Sequence, residues 1–169
     1  MPTPDPQAAQ YDPGQARPTN VRWLVFVLGC GTSWLLYIHR YAFALVKSDI
    51  GREFNLDAGQ LADLDVWFSL FYGGVQIPAG ILVDLLGAHL FLSASIAAWS
   101  VGLALHAFPP HYPLLIAGRI LLASGQAGVF AALGWMTRKW FPPQMRTTVQ
   151  GWLGVFFARF GGASANFLI

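Results

Sequence analysis

The chain has 169 residues, 55% of them hydrophobic and only 11% charged, with a mean hydropathy of +0.49 and a formal net charge of +2. An ordinary soluble domain is about 25% charged, so this composition excludes a water-exposed globule and points to a membrane protein; so small a net charge, with no basic run interleaved with aromatics, argues against a nucleic-acid partner. The single cysteine, Cys30, permits neither a disulfide pair nor a thiolate metal site, and no metal or cofactor is expected.

Residues 1–20 carry five prolines among Gln, Ala and Asp and lack the basic start of a signal peptide, so they read as a disordered cytoplasmic tail. Residues 21–169 then form a transmembrane helical domain. Within it the run VLGC, Val27 to Cys30, has the look of a lipoprotein cleavage site, but too few apolar residues precede it and too many follow, and lipidation is set aside. Five apolar segments follow in order, at 23–46, 64–83, 90–108, 113–136 and 147–169. Each holds about 19 to 24 residues, close to or above the length that crosses a ~30 Å bilayer core at 1.5 Å per residue. Buried helices of a soluble protein would need polar faces, yet Leu90 to Leu105 carries no charge on any face. The predicted fold is therefore all-α, with about five transmembrane helices.

Orientation follows from the basic residues. With the tail inside, the inner ends hold Arg17, Arg22, Arg138, Lys139 and Arg146, while the outer loops hold Lys47 and Arg52 diluted by Asp49, Glu53 and Asp57. That asymmetry favours a cytoplasmic N-terminus. Trp23, Trp135 and Trp140 then fall at the inner interface, where amphipathic indoles prefer to lie. FPPH, Phe108 to His111, makes an outer turn, and WFPP, Trp140 to Pro143, breaks the chain on the inside.

Three arginines, Arg40, Arg119 and Arg159, lie within the predicted spans. Each costs roughly 2.5–3.5 kcal/mol at a helix centre, and such residues usually face a watery cavity or a partner. Arg40 sits in the stretch YIHRYAFAL beside His39 and one turn after Tyr37; it is near enough to the outer end for snorkelling to be the plain alternative. Arg119 and Gln126 are seven residues apart and share a helix face among Gly118, Ala123, Ser124, Gly125, Ala127 and Gly128. That stripe reads as a cavity wall, with interhelical packing as its alternative. A guanidinium cannot in practice be deprotonated and matches a carboxylate or phosphate with a planar fork, so Arg40 and Arg119 are candidate anion ligands, while Arg159 lies mid-way along a helix that is cut short and its partner is expected to be absent. Asp63 and Asp65 open the second span, and Asp65 is within reach of pairing with Arg40.

Three stretches, in order, resemble the N-terminal half of a major facilitator superfamily transporter: VQIPAGILVDLLGAH (75–89), GRILLASGQAGVF (118–130) and WFPPQMRTTVQG (140–151). In the first, Gly80, Asp84 and Gly87 match the gating signature between the second and third spans, although Leu85, Ala88 and His89 stand where basic residues are usual. In the second, Arg119 and Gly125 match the fourth-span signature. Within the superfamily the chain is most similar to the anion–cation symporters, which take up sugar acids and other organic anions. His39-Arg40 stands where that group has Asp-Arg, and Gln126 where it has an acid; those acids are associated with proton coupling. YIHRYAFAL also resembles the first span of organophosphate–phosphate antiporters, whose arginine engages phosphate.

The resemblance implies a secondary transporter of a small organic anion, with Arg40, Arg119, Gln126 and Tyr37 binding substrate. His39, the one group among these with an ordinary pKa near 6.5, and Asp65 are the candidates for coupling. The implied partners are the anion, the bilayer and a co-transported proton or counter-anion, and the implied location is a bacterial inner membrane. An anion exchanger is the second reading. Because such a transporter places its site between two six-helix halves and this chain stops in NFLI, it reads as an incomplete first half, a fragment; a truncated, non-transporting membrane scaffold is the third reading. No nucleophile–base or metal motif is present, His39, His89, His106 and His111 being scattered over different segments, so an enzyme is not expected.

Overall fold

The computed structural model describes residues 20–107 and 111–168. The predicted tail up to residue 19, most of the FPPH turn and residue 169 lie outside the described residues. Among the described residues every regular element is helical.

Helix α1 (Val21–Glu53) has 33 residues and continues well past position 46, where the apolar run ends. Its last two turns pair Lys47 with Asp65 of the next helix and pack Ile50 into a small apolar cluster with Leu61 and Leu64, while the exposed Arg52 lies 3.7 Å from Asp49. Hydropathy marks where lipid ends, whereas a helix stops only where its backbone bonds stop. The chain then reverses through Asn55, at φ 49°, and Asp57 begins α2 (Ala58–Leu86) with a capping box. The Asp57 carboxylate accepts from the Gln60 N–H at 2.8 Å, and the Gln60 side chain accepts from the Asp57 N–H at 3.0 Å. Gly87 ends α2 at φ 79°, a conformation that a Cβ would strain, and its N–H bonds to the Val83 carbonyl at 2.9 Å.

Helix α3 (Ala88–Leu105) follows at once, and α4 (Tyr112–Ala127) and α5 (Val129–Trp140) join through Gly128. α4 lies between α2 and α3. Its approach to α3 is close enough that a Cβ on Gly102 would meet the Leu122 nitrogen at 2.7 Å, and one on Gly125 the Ser95 oxygen and Trp99 nitrogen at 2.8 Å. Lipid offers no hydrophobic drive for helix association, so close backbone packing through small residues supplies much of the attraction. Leu36, Val83, Trp99, Leu122, Leu133 and Leu153 are buried in one shared core.

Beyond α5, Arg146 folds back and donates to the carbonyls of Phe141 and Arg138, each at 3.0 Å. It thereby covers acceptors that the end of α5 leaves open. Helix α6 (Pro143–Gly151) starts on proline, passes through a π-helical turn (Trp152–Phe156) and continues as α7 (Phe157–Leu168), which packs against α1. The fifth predicted segment is thus helical over its described residues. Among the described residues four helical rods are long and apolar enough to cross a membrane: α1, α2, α3 and the joined rod Tyr112–Trp140. The fifth segment is divided by its π-turn, and neither part reaches that length.

Candidate functional site

The α2 residues Asp65, Phe68, Ser69, Tyr72 and Gln76 are linked by steps of three and four, 65–68–72–76 and 65–69–72–76, and so form one face of the helix. That face meets Arg40 of α1 and Arg119 of α4 around a cavity of about 590 Å³. Arg119 is only 4% exposed. Its Nε donates to the Leu64 carbonyl at 3.2 Å and its Nη2 to Asp65 at 3.0 Å. The second Asp65 oxygen accepts from Lys47. One carboxylate therefore serves two cations, Lys47 and Arg119, and does not pair with Arg40.

Arg40 has no carboxylate within ion-pair distance among the described residues, and its buried Nε has no hydrogen-bond partner. It rests instead on aromatic faces, with its Cζ 4.2 Å from the Tyr72 ring centre, 5.3 Å from Phe68 and 5.9 Å from Tyr37. Arg119 lies 3.7 Å from the Phe43 ring centre and 4.4 Å from Phe68. Phe68 thus carries a guanidinium from each of two helices. Aromatic quadrupoles offset part of the cost of holding a cation away from water but leave its hydrogen-bond donors unused. Arg40, Arg119 and Asp65 line this cavity, and Lys47 pairs with the same carboxylate, so among the described residues one lining carboxylate is shared by Arg119 and Lys47 and none is left for Arg40.

The remaining sequence candidates are placed apart. Tyr37 underlies Arg40 but lines a different cavity. Gln126 is fully buried, lines no described cavity, and neither end of its amide has a hydrogen-bond partner. His39 is half-buried with Nδ1 unpartnered. Asp84 is exposed at the far end of α2, three residues before the turn at Gly87, while Gly80 sits one turn earlier in the helix. Sequence reading missed Phe43, Phe68, Ser69, Tyr72, Gln76 and Lys47. The spacing of the α2 set was a usable signal, masked because aromatics are equally at home facing lipid. Among the described residues no three His, Cys, Asp or Glu side chains gather as a metal site would require.

Residues 29–165 match the model of the family described as Major Facilitator Superfamily. Among curated proteins the chain is 31% identical over 130 residues to "Uncharacterized transporter YybO" of Bacillus subtilis (strain 168), an alignment covering 77% of this chain and 30% of that protein. It is 26% identical over 135 residues to "Probable galactarate/D-glucarate transporter GarP" of Escherichia coli (strain K12), covering 76% and 30% respectively. It is 28% identical over 144 residues to "Probable sulfoacetate transporter SauU" of Cupriavidus necator, covering 85% and 33%. The chain spans about a third of the length of these relatives.

Proposed function

The chain belongs to the major facilitator superfamily, and from that premise we propose that it forms part of the binding wall of a secondary active transporter for a small organic anion, a sugar acid or similar carboxylate. Family and helix lengths together make it a multi-pass membrane protein. The finer reading adds a bacterial inner membrane, a cytoplasmic N-terminus, and residues 21–169 as an incomplete first helical half. The observation that carries the function is the meeting of Arg40 and Arg119 at one cavity whose lining carboxylate, Asp65, is already engaged. Relatives named for galactarate, D-glucarate and sulfoacetate support an organic anion as substrate.

In this reading Arg40 takes the anion through its free donors, and Arg119, braced by Leu64 and Asp65 and also lying over Phe68, adds to the positive field. Ser69 and Gln76 line the same cavity and suit substrate hydroxyls. Gln126 remains a binding candidate because a buried amide without partners is costly and rare; it would meet substrate in a state that uncovers α4. Tyr37 contributes its ring beneath Arg40. Gly80, Asp84 and Gly87 form the proposed gate, at the end of the bundle away from Asp57. Proton coupling, where present, runs through His39 or Asp65. The absence of carboxylates at 39 and 126 makes anion exchange the second reading. The test is uptake of D-glucarate by the whole protein in proteoliposomes, with external pH recorded. Arg40→Lys should weaken glucarate binding about tenfold, because an ammonium lacks the planar fork. External alkalinisation lost in His39→Asn supports symport; uptake driven only by preloaded phosphate or organic anion supports exchange. Failure of glucarate, gluconate, sulfoacetate and phosphate alike to bind would overturn the anion reading.

A further inference from the structure

The third arginine of the predicted spans, Arg159, does not join the other two. It lines a second cavity, of about 620 Å³ between α1 and α7, together with Tyr37, Tyr41 and Asn166. Among the described residues no carboxylate lines that cavity, and Arg159 forms no ion pair. The two cavities share no lining residue, and Tyr37 is the side chain that lies beside both. Its ring lines the second one, while the Arg40 guanidinium of the first lies 5.9 Å from the ring centre.

The second cavity is built by close packing. A Cβ on Gly161 would meet the Trp34 carbonyl at 2.6 Å, and one on Gly162 would meet the Tyr41 ring at 2.7 Å, so α7 sits directly on α1 and holds both tyrosines. Trp34 Nε1 donates to Ser164 Oγ at 2.8 Å across the same contact, and the Tyr37 and Tyr41 rings stack with centres 6.3 Å apart. The π-turn resets the register of α7: one extra residue in a turn rotates every later side chain by about 100° relative to an unbroken α-helix. Gly154 and Val155 of that turn line the cavity with Arg159. The buried Ser33 hydroxyl donates to the carbonyl of Leu153, within the turn.

We propose that this second cavity is an anion subsite and that the transported substrate is a two-ended anion, a dicarboxylate or its equivalent. One acid group is held by Arg40 and Arg119, the other by Arg159 with Tyr41 and Asn166 around it. A singly charged acid would compensate one of the two arginine sites and leave the other uncompensated; a dianion offsets both. This proposal rests on the transporter reading above and narrows its substrate class.

The experiment compares binding of D-glucarate, with a carboxylate at each end, and D-gluconate, the same carbon chain with one, to the whole protein in detergent. The parent should bind glucarate at least ~10-fold more tightly than gluconate, since a charge-assisted contact to a second arginine is gained. Arg159→Gln should erase that preference, and Arg159→Lys should keep part of it. Equal affinity of the parent for the two acids, or a preference that survives Arg159→Gln in protein of parental melting temperature, would overturn the second subsite while leaving the organic-anion reading intact. The parent comparison needs no variant, so it stands even if Arg159→Gln fails to fold. Binding of neither acid would overturn the two-ended substrate, and the organic-anion reading with it if sulfoacetate and phosphate also fail to bind.

Discussion

Asp65 is the residue on which the electrostatics of the first cavity turn. It is half-exposed, with 49% of its side chain accessible, yet it neutralises an Arg119 whose side chain is 5% accessible and holds Lys47 as well. In effect it is a resident anion next to the proposed substrate site. Asp65→Asn removes the carboxylate partner of both Lys47 and Arg119, so the protein should lose about 1–3 kcal/mol of stability, between the values for exposed and buried ion pairs. The same change frees Arg119, and glucarate binding should tighten about three- to tenfold once the internal competitor is gone. Thermal unfolding and glucarate titration on the same sample check both. A weaker affinity in Asp65→Asn would show that the carboxylate helps the substrate bind instead of competing with it. Arg40 differs because it has only aromatic faces for company, which is why the proposed ligand is assigned first to it.

Two devices at the level of whole helices position these residues. The first is the contact of α3 with α4, where Gly102, Gly118 and Gly125 leave no room for a side chain: a Cβ on Gly118 would meet the Gly102 carbonyl at 2.9 Å. Gly125→Val must push α4 away from the α3 backbone and shift the rod that carries Arg119. It should cost at least ~1–3 kcal/mol, the range for overpacking a well-filled interface. Gly31→Ala, whose Cβ meets nothing within 4 Å, should be neutral or stabilising by up to ~1 kcal/mol from helix propensity alone. Melting curves of the two variants against the parent make the comparison, and equal effects would mean that the close approach contributes nothing. The second device is the π-turn, which sets the face on which Arg159 emerges and which no count at 3.6 residues per turn reproduces.

For the molecule as a whole, one end gathers Asp57, Asp63, Lys47 and Tyr112, where the Tyr112 hydroxyl lies 3.2 Å from Asp63. The opposite end gathers Trp23 packed edge-on against Phe141, the Gly87 turn, and His89, Lys139 and Trp140 around one cavity. The basic residues favour the second end as cytoplasmic. With Cys30 replaced by alanine, a cysteine at His111 should react with an impermeant thiol reagent from outside intact cells, and one at Gln144 only after permeabilisation. Reversed labelling would invert the proposed topology. Both positions are exposed, so a failure to label would reflect sidedness, not burial.

The amino-acid sequence by itself determined the membrane class, the all-helical fold, the order of the segments and the family. Hydropathy accumulates along the chain, and the three motifs are contiguous in it, so neither needs the fold to be seen. It also singled out Arg40 and Arg119, since a charge inside an apolar run is conspicuous wherever it points. The tertiary structure alone decided which charges meet. Asp65 and Arg119 are 54 positions apart and join because α4 packs along α2. Gln126, seven residues from Arg119 and on the same face by periodicity, is sealed from the cavity; local spacing gives the direction of a side chain but not what its neighbours cover. Arg159 lines a cavity with α1 residues because α7 is seated on α1, with its register shifted by the π-turn. Periodicity is a property of one helix, whereas a cavity belongs to several, and its lining depends on rotations and approach distances set by side chains elsewhere in the chain.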